Sequence, residues 1–260
     1  MNTESRMPGL SPSGTIGVPK DSPIQQGIRW LKDFFRSIPE PDLENSHAKS
    51  SGVLCGTHLL HLICGCGLLN GSGFHSAAVS LLRPMEDALD CYAAIIFVPS
   101  AAQDWEADNL KASEAGKKWV MHASDLITHD NISLDEYRKR IRSDFNSYAH
   151  GSRALCEWNL FFKPYAKPED KAEVEGTLEI NFEPDVIELN GHAIDAYETA
   201  HLLEFLAITQ RGYSRFLSTH ASYRNSLADL LPKIEKIMIS HDAHGCQEVR
   251  VPPEIAKLKS

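Results

Sequence analysis

The chain has 260 residues, 42% of them hydrophobic and 23% charged, with a formal net charge of -9. That is ordinary globular composition, and a chain of this length can bury most of its apolar surface in one core. The acidic balance counts against a protein that grips nucleic acid along its whole length, because phosphate neutralisation supplies most of that affinity.

The first 23 residues hold four Pro, four Ser and three Gly and almost no large apolar side chains. Such a stretch buries too little surface to offset its ordering entropy, and it reads as a disordered arm. There is no apolar core of a secretory signal in it. A short amphipathic helix is expected over 24–37, carrying Ile28, Trp30, Leu31, Phe34 and Phe35, and ended by Pro39 and Pro41.

A second helix is expected from about Ser46 to Leu69. Leu54, Thr57, His58, His61, Leu62, Gly65 and Leu69 recur at spacings of three and four, which marks them as its packing face. His58 and His61 then read as a buried pair on that face, although their spacing also suits one metal ion. The histidines and Gly56, Gly65 and Gly67 make this stretch a poor transmembrane helix. Asn70-Gly71-Ser72-Gly73 breaks it.

The third helix is expected over Phe74–Phe97, with Ala78, Leu81, Leu82, Met85, Leu89, Tyr92 and Ile96 as one apolar stripe. Pro84 removes a backbone donor inside it and predicts a kink. Arg83, Glu86, Asp87 and Asp90 fall on the opposite side. They read either as a solvated face with local ion pairs or as an inward face on which Arg83 meets a buried acid.

A long polar helix should run from Ser100 to about Thr128, with Trp105, Leu110, Trp119, Val120, Ala123 and Leu126 inward. Ser133-Leu-Asp-Glu136 reads as a capping box that starts a helix to His150. After a bend at Gly151, Arg153–Phe162 continues as helix. Residues 177–189 change to a period of two and read as a small β-hairpin before Asn190-Gly191. Two helices follow, Ala193–Thr219 and Ser222–Ser240, and residues 241–260 read as a loose tail. The expected domain is therefore a single helical unit from 24 to 240, an all-α bundle of about six or seven helices with that hairpin inserted.

Four of the six cysteines (Cys55, Cys64, Cys66 and Cys91) lie in apolar helical runs and read as small buried hydrophobes. A chain of this size needs no disulfide framework, so a reducing cytoplasm is expected.

Candidate chemistry sits in three places. Arg138, Arg140 and Arg142 form a basic run that leads to Asn146 and His150, which are four apart and share a helix face. A histidine there could move the proton of a ribose hydroxyl, and an arginine could clamp the phosphate. A helix-end histidine beside a solvated basic face explains the same residues. Glu198-Thr-Ala-His201, with Glu204 beyond it, is half of the pattern a di-iron carboxylate site needs, and Glu44-Asn-Ser-His47 is the other match. Neither these nor the cluster His241, His244 and Cys246 supplies a full ligand set, so no metal and no cofactor are expected. The sequence lacks a phosphate-cradling glycine loop, a dinucleotide fingerprint and a nucleophile elbow.

The stretch LLNGSGFHSAAVSLLRPMEDALDCYAAI (Leu68–Ile95), followed later by Tyr148-Ala-His150-Gly-Ser152, resembles bacterial HEPN-like helical domains of unknown function. Those carry Leu-Leu-Arg-x-x-x-Glu on a long helix and a His-Gly-Ser segment downstream. The resemblance spans roughly Val53 to Phe216. It implies a helical bundle from a defence or toxin–antitoxin locus that binds RNA, or cleaves it without metal. On that reading His150, Arg142 and Asn146 are the catalytic candidates, and Arg83, Glu86, Arg138 and Arg140 the binding candidates. The spacing departs from the family's Arg-to-His motif, since seven residues separate Arg142 from His150, and Pro84 replaces the small residue expected after Arg83. Two other readings stand beside it. One is a non-catalytic module that pairs with a protein partner or with itself along the second and third helices. The other is a metal-dependent bundle enzyme using Glu198 and His201. None of the three places the chain in a membrane.

Overall fold

The computed structural model describes residues 22–38, 46–123, 145–146, 160–164, 176–180 and 188–248. These residues form an all-α bundle with one two-stranded ribbon. Helix α1 spans Pro23–Ser37. Its start is local chemistry: Ser22 accepts a hydrogen bond from the Gln25 amide at 3.2 Å, and Pro23 supplies a preset φ at the first turn. The helix thus begins one residue inside the stretch expected to be an arm. It buries Ile28, Trp30, Leu31 and Phe34, and the Trp30 indole donates to the Tyr223 carbonyl and to Ser226.

Helix α2 (Ser46–Gly71) has the expected extent and the opposite orientation. The buried side is Ser51, Gly52, Cys55, Gly56, Leu59, Leu60, Ile63, Cys66 and Asn70. Leu54 is 63% exposed, and His58 and His61 face solvent, so the expected packing face is the outer one. The helix carries apolar residues nearly all round, and a periodic pattern cannot choose a side in that case. Close approach chooses it: a Cβ on Gly56 would lie 2.7 Å from Phe35 Cζ and 3.0 Å from Tyr92 Cε2. By length and composition Ser50–Gly71 could cross a membrane, but 44% of that window is buried in the bundle.

The turn after α2 depends on Gly73, whose φ of 80° suits a residue without Cβ. The rod expected over Phe74–Phe97 is two helices, α3 (His75–Ser80) and α4 (Leu82–Phe97), broken at Leu81. Pro84 has no amide hydrogen for the Ser80 carbonyl, which accounts for the break. Helix α4 is the centre of the bundle. It packs on α2, on α5 (Ala101–Glu106) and on α6 (Ala112–Ala123), and Leu82, Met85, Leu89 and Tyr92 are fully buried. The single polar helix expected from Ser100 is thus α5 and α6, separated by a turn in which Asp108 adopts φ 56°.

Strands β1 (Leu160–Pro164) and β2 (Gly176–Ile180) pair antiparallel, with Leu160 opposite Ile180 and Pro164 opposite Gly176. The hairpin expected within 177–189 is not supported. β2 pairs with a segment upstream of it, one that includes part of the helix expected over Arg153–Phe162, and Glu188 and Leu189 are helical. Helix α7 (Glu188–Gly212) packs on α4 and α2, then breaks at Tyr213 into α8 (Ser214–Thr219). A Cβ at Gly212 would collide with Ile96 Cγ2 of α4, so the chain turns there at a contact only glycine permits. Helix α9 (Ala221–Glu248) lies along α7 and α1 and runs eight residues past the expected end. His241, His244 and Cys246 therefore belong to a helix and not to a loose tail.

Candidate functional site

The polar centre lies between α4 and α7. Leu82, Glu86 and Asp90 follow one another at intervals of four along α4, so both acids continue the line of a core leucine. On α7, Glu198, His201 and Glu204 interleave with Leu202 and Phe205. Glu86 and Asp90 are fully buried, and Glu198, His201 and Glu204 are nearly so. The solvated reading of the acidic side of α4 is thus wrong for Glu86 and Asp90, because α6 and α7 cover the side that an isolated helix would leave wet.

His201 Nε2 lies 3.2 Å from Glu86 Oε2. Its Nδ1 is 2.7 Å from the Tyr197 carbonyl, which can only accept, so Nδ1 carries a hydrogen. Burial lowers the pKa of the ring, but Glu86, Glu204 and the Tyr197 carbonyl outweigh burial and hold it above the ordinary histidine value. The acids beside the ring thus favour its protonated form. Phe145 stacks on it with ring centroids 5.9 Å apart and also meets Tyr197 edge-on.

Two further contacts tie the centre to its neighbours. The Trp119 indole of α6 donates to Asp90 Oδ1 at 2.7 Å. Asn70 of α2 donates to Asp195 Oδ1 at 2.7 Å, and His75 Nδ1 lies 2.9 Å from Asn70 Oδ1. Because the Asn70 amide nitrogen faces Asp195, its oxygen is left to accept from His75. Burial, reinforced by the charge of Asp195, pushes the Glu198 carboxyl up from 4.5 to about 8.

The expected site residues divide clearly. Glu86 is at the centre. Arg83 is beside it in sequence and pairs with Asp87 at 2.9 Å, one turn along the same helix, on a partly exposed edge. The expectation that Arg83 meets a buried acid is corrected accordingly, since His201 is the partner that the buried acid found. Among the described residues, Arg83 Nη1 is buried with no hydrogen-bond partner. Asn146 is exposed and follows Phe145 directly. His150, Arg142, Arg138 and Arg140 lie outside the described residues, as does Glu44. Glu198, His201 and Glu204 share one face of α7, yet among the described residues no group of three or more His, Cys, Asp or Glu side chains could hold a metal ion.

The sequence carried a signal for this centre that hydropathy alone did not read: polar residues at four-residue intervals inside an apolar line. A separate groove of about 650 Å³ opens on another side of α4, lined by Leu54, His58, Pro84, Asp87, Cys91 and Trp105, among others. The four thiols of the described bundle are free, and burial raises Cys91, helped by Asp87, to about 11. No family model, curated protein or solved structure matches the chain.

Proposed function

We propose that the chain is an HEPN-like bundle that engages RNA, with catalysis, where it occurs, carried by His150 and aided by Arg142 and Asn146. The observation that supports this reading is that His201 touches a residue of the first sequence element and one that lies a few positions before the second. Glu86, three residues after Arg83 on the helix that carries Leu81-Leu82-Arg83, pairs with His201, and Phe145, a few residues before the His-Gly-Ser segment in sequence, stacks on His201. Arg83, paired with Asp87 on a partly exposed edge of α4, would supply a phosphate contact there. Acid–base cleavage by histidine needs no metal. The net charge of -9 confines such contacts to local basic residues.

Expression in a bacterial host tests this reading. Growth arrest with RNA breakdown is expected, relieved by His150→Ala. Undiminished arrest in that variant removes His150 from the mechanism, and purified chain that binds no single-stranded RNA at low salt removes the RNA reading altogether.

The outer face of α2 favours a second reading, a non-catalytic interaction module. Ser50–Gly71 contains no Asp, Glu, Lys or Arg, and Leu54, His58 and His61 lie in the open. Light scattering after size exclusion distinguishes this reading. A stable homo-oligomer that Leu54→Asp dissociates supports it, and a monomer that forms no complex counts against it.

A further inference from the structure

The hairpin of α7, α8 and α9 gathers positive charge at its tip. Between Glu204 and Asp229 the chain has Arg211, Arg215 and Arg224 and no acidic residue, although its net charge is -9. Arg211 lies in the last turn of α7, Arg215 in the first turn of α8 and Arg224 in the first turn of α9, and all three are exposed. Because α9 lies along α7, the short α8 between them places these residues at one end of the bundle. The end of α1 reaches the same place, since Phe34 meets Tyr213 and Phe216 edge-on. It brings Arg36, which has Asp33 3.7 Å away. A flat ring stands among these arginines. His220 is exposed, and its imidazole stacks on Phe216 with centroids 3.9 Å apart and planes inclined by 11°. Its Nδ1 is 2.9 Å from the Phe216 carbonyl, which fixes the rotation of the ring. One face of the imidazole is thus supported by Phe216, and the other is open to solvent. Exposed arginines suit any anionic partner, but a rigid open ring beside them suits one that carries unpaired flat bases between its phosphates.

We propose that this tip binds an unpaired stretch of RNA, with a base stacked on His220 and the flanking phosphates held by Arg211, Arg215 and Arg224. The proposal rests on the RNA reading of the chain and adds to it a surface outside the residues that the sequence resemblance marks. The contacts are local, as an acidic chain requires, and the stacking contact selects single strands, because paired bases have no free face to offer.

The test measures fluorescence anisotropy of a short, unstructured, labelled RNA with 2′-O-methyl riboses, which 2′-hydroxyl chemistry cannot cut, against the full chain over a range of salt. Replacing Arg211, Arg215 and Arg224 together by Gln should reduce the slope of log affinity against log salt by about 2, since each phosphate contact to a single strand contributes roughly 0.7. Lys117→Gln, at an exposed position on α6, should leave that slope unchanged. His220→Ala should weaken binding roughly tenfold with the slope kept, and His220→Trp, which restores a flat ring, should recover it. A duplex of the same length should bind more weakly than the single strand. All of these positions are exposed, so thermal melting should be the same for every variant. A chain that binds the RNA with slope and affinity unchanged in the tip variants overturns this proposal and leaves the RNA reading standing. A duplex bound as tightly as the single strand, or a loss in His220→Ala that Trp does not recover, also overturns it. A wild-type chain that binds no RNA removes both.

Discussion

Two polar surfaces of this bundle exchange the places that their sequences suggest. The histidines of α2 recur on an apolar period and point outward, while Glu86 and Asp90 of α4 sit opposite an apolar stripe and point inward. Periodicity locates the axis of a helix and the angular spacing of its residues. It does not say how many sides the neighbours cover. Helix α2 packs on α1, α3, α4, α5 and α7 yet leaves the side of Leu54, His58 and His61 open, whereas α6 and α7 cover the side of α4 that carries Glu86 and Asp90. A charged residue on an open side turns to water. On a covered side it must find a partner, as Glu86 found His201 and Asp90 found Trp119.

That contrast can be broken most forcefully at its buried end. Glu86→Ala leaves buried His201 without the carboxylate that faces its Nε2 and should cost about 3–5 kcal/mol in urea unfolding. A loss below about 1 kcal/mol would mean that the pair is solvated and that the centre has been misread.

The next effect is on pH. The folded-state pKa of Glu198 lies above its unfolded value, so its contribution is full below 4.5 and is lost as pH rises to about 8. His201 is also raised and works in the same direction, full below its ordinary value and lost as pH climbs through the folded one. Stability should therefore decline from pH 5 towards pH 8. Against Glu198→Gln, the decline should be steeper in the wild type by up to about 1.4 kcal/mol per pH unit. Parallel curves for the two proteins would show that Glu198 is ionised at neutral pH.

Smaller losses should follow at the rim of the centre. Trp119→Phe keeps most of the ring but removes the donor to Asp90, and it should cost about 1–3 kcal/mol by urea denaturation. At the outer end of the comparison, His58→Ala and His61→Ala should each change stability by no more than about 0.5 kcal/mol. A loss of several kcal/mol at either histidine would restore the inward orientation of that face.

The helices themselves were largely legible in the chain. Ser22 and Pro23 start α1, Pro84 breaks the rod before α4, and the glycines after Asn70 end α2, all through local backbone chemistry. The ribbon was only half legible. Alternation marked Thr177–Phe182 as extended, which covers most of Gly176–Ile180, but its partner Leu160–Pro164 lies upstream, where the end of a helix and the start of a loop were expected. The polar centre was legible as residue types and not as a site. Glu198, His201 and Glu204 declare a shared face, yet nothing local says that Glu86, on a helix far away in sequence, would complete it.

By itself the sequence determined that the chain would assemble into a helical bundle and where some of its helices start or stop, because capping, proline and glycine act within a few residues. Which side of α2 is outward, and which acids of α4 are buried, only the tertiary structure decided. Those outcomes depend on which sides of a helix its neighbours cover, and on close contacts such as Gly56 against Phe35 and Gly212 against Ile96, which join residues distant along the chain.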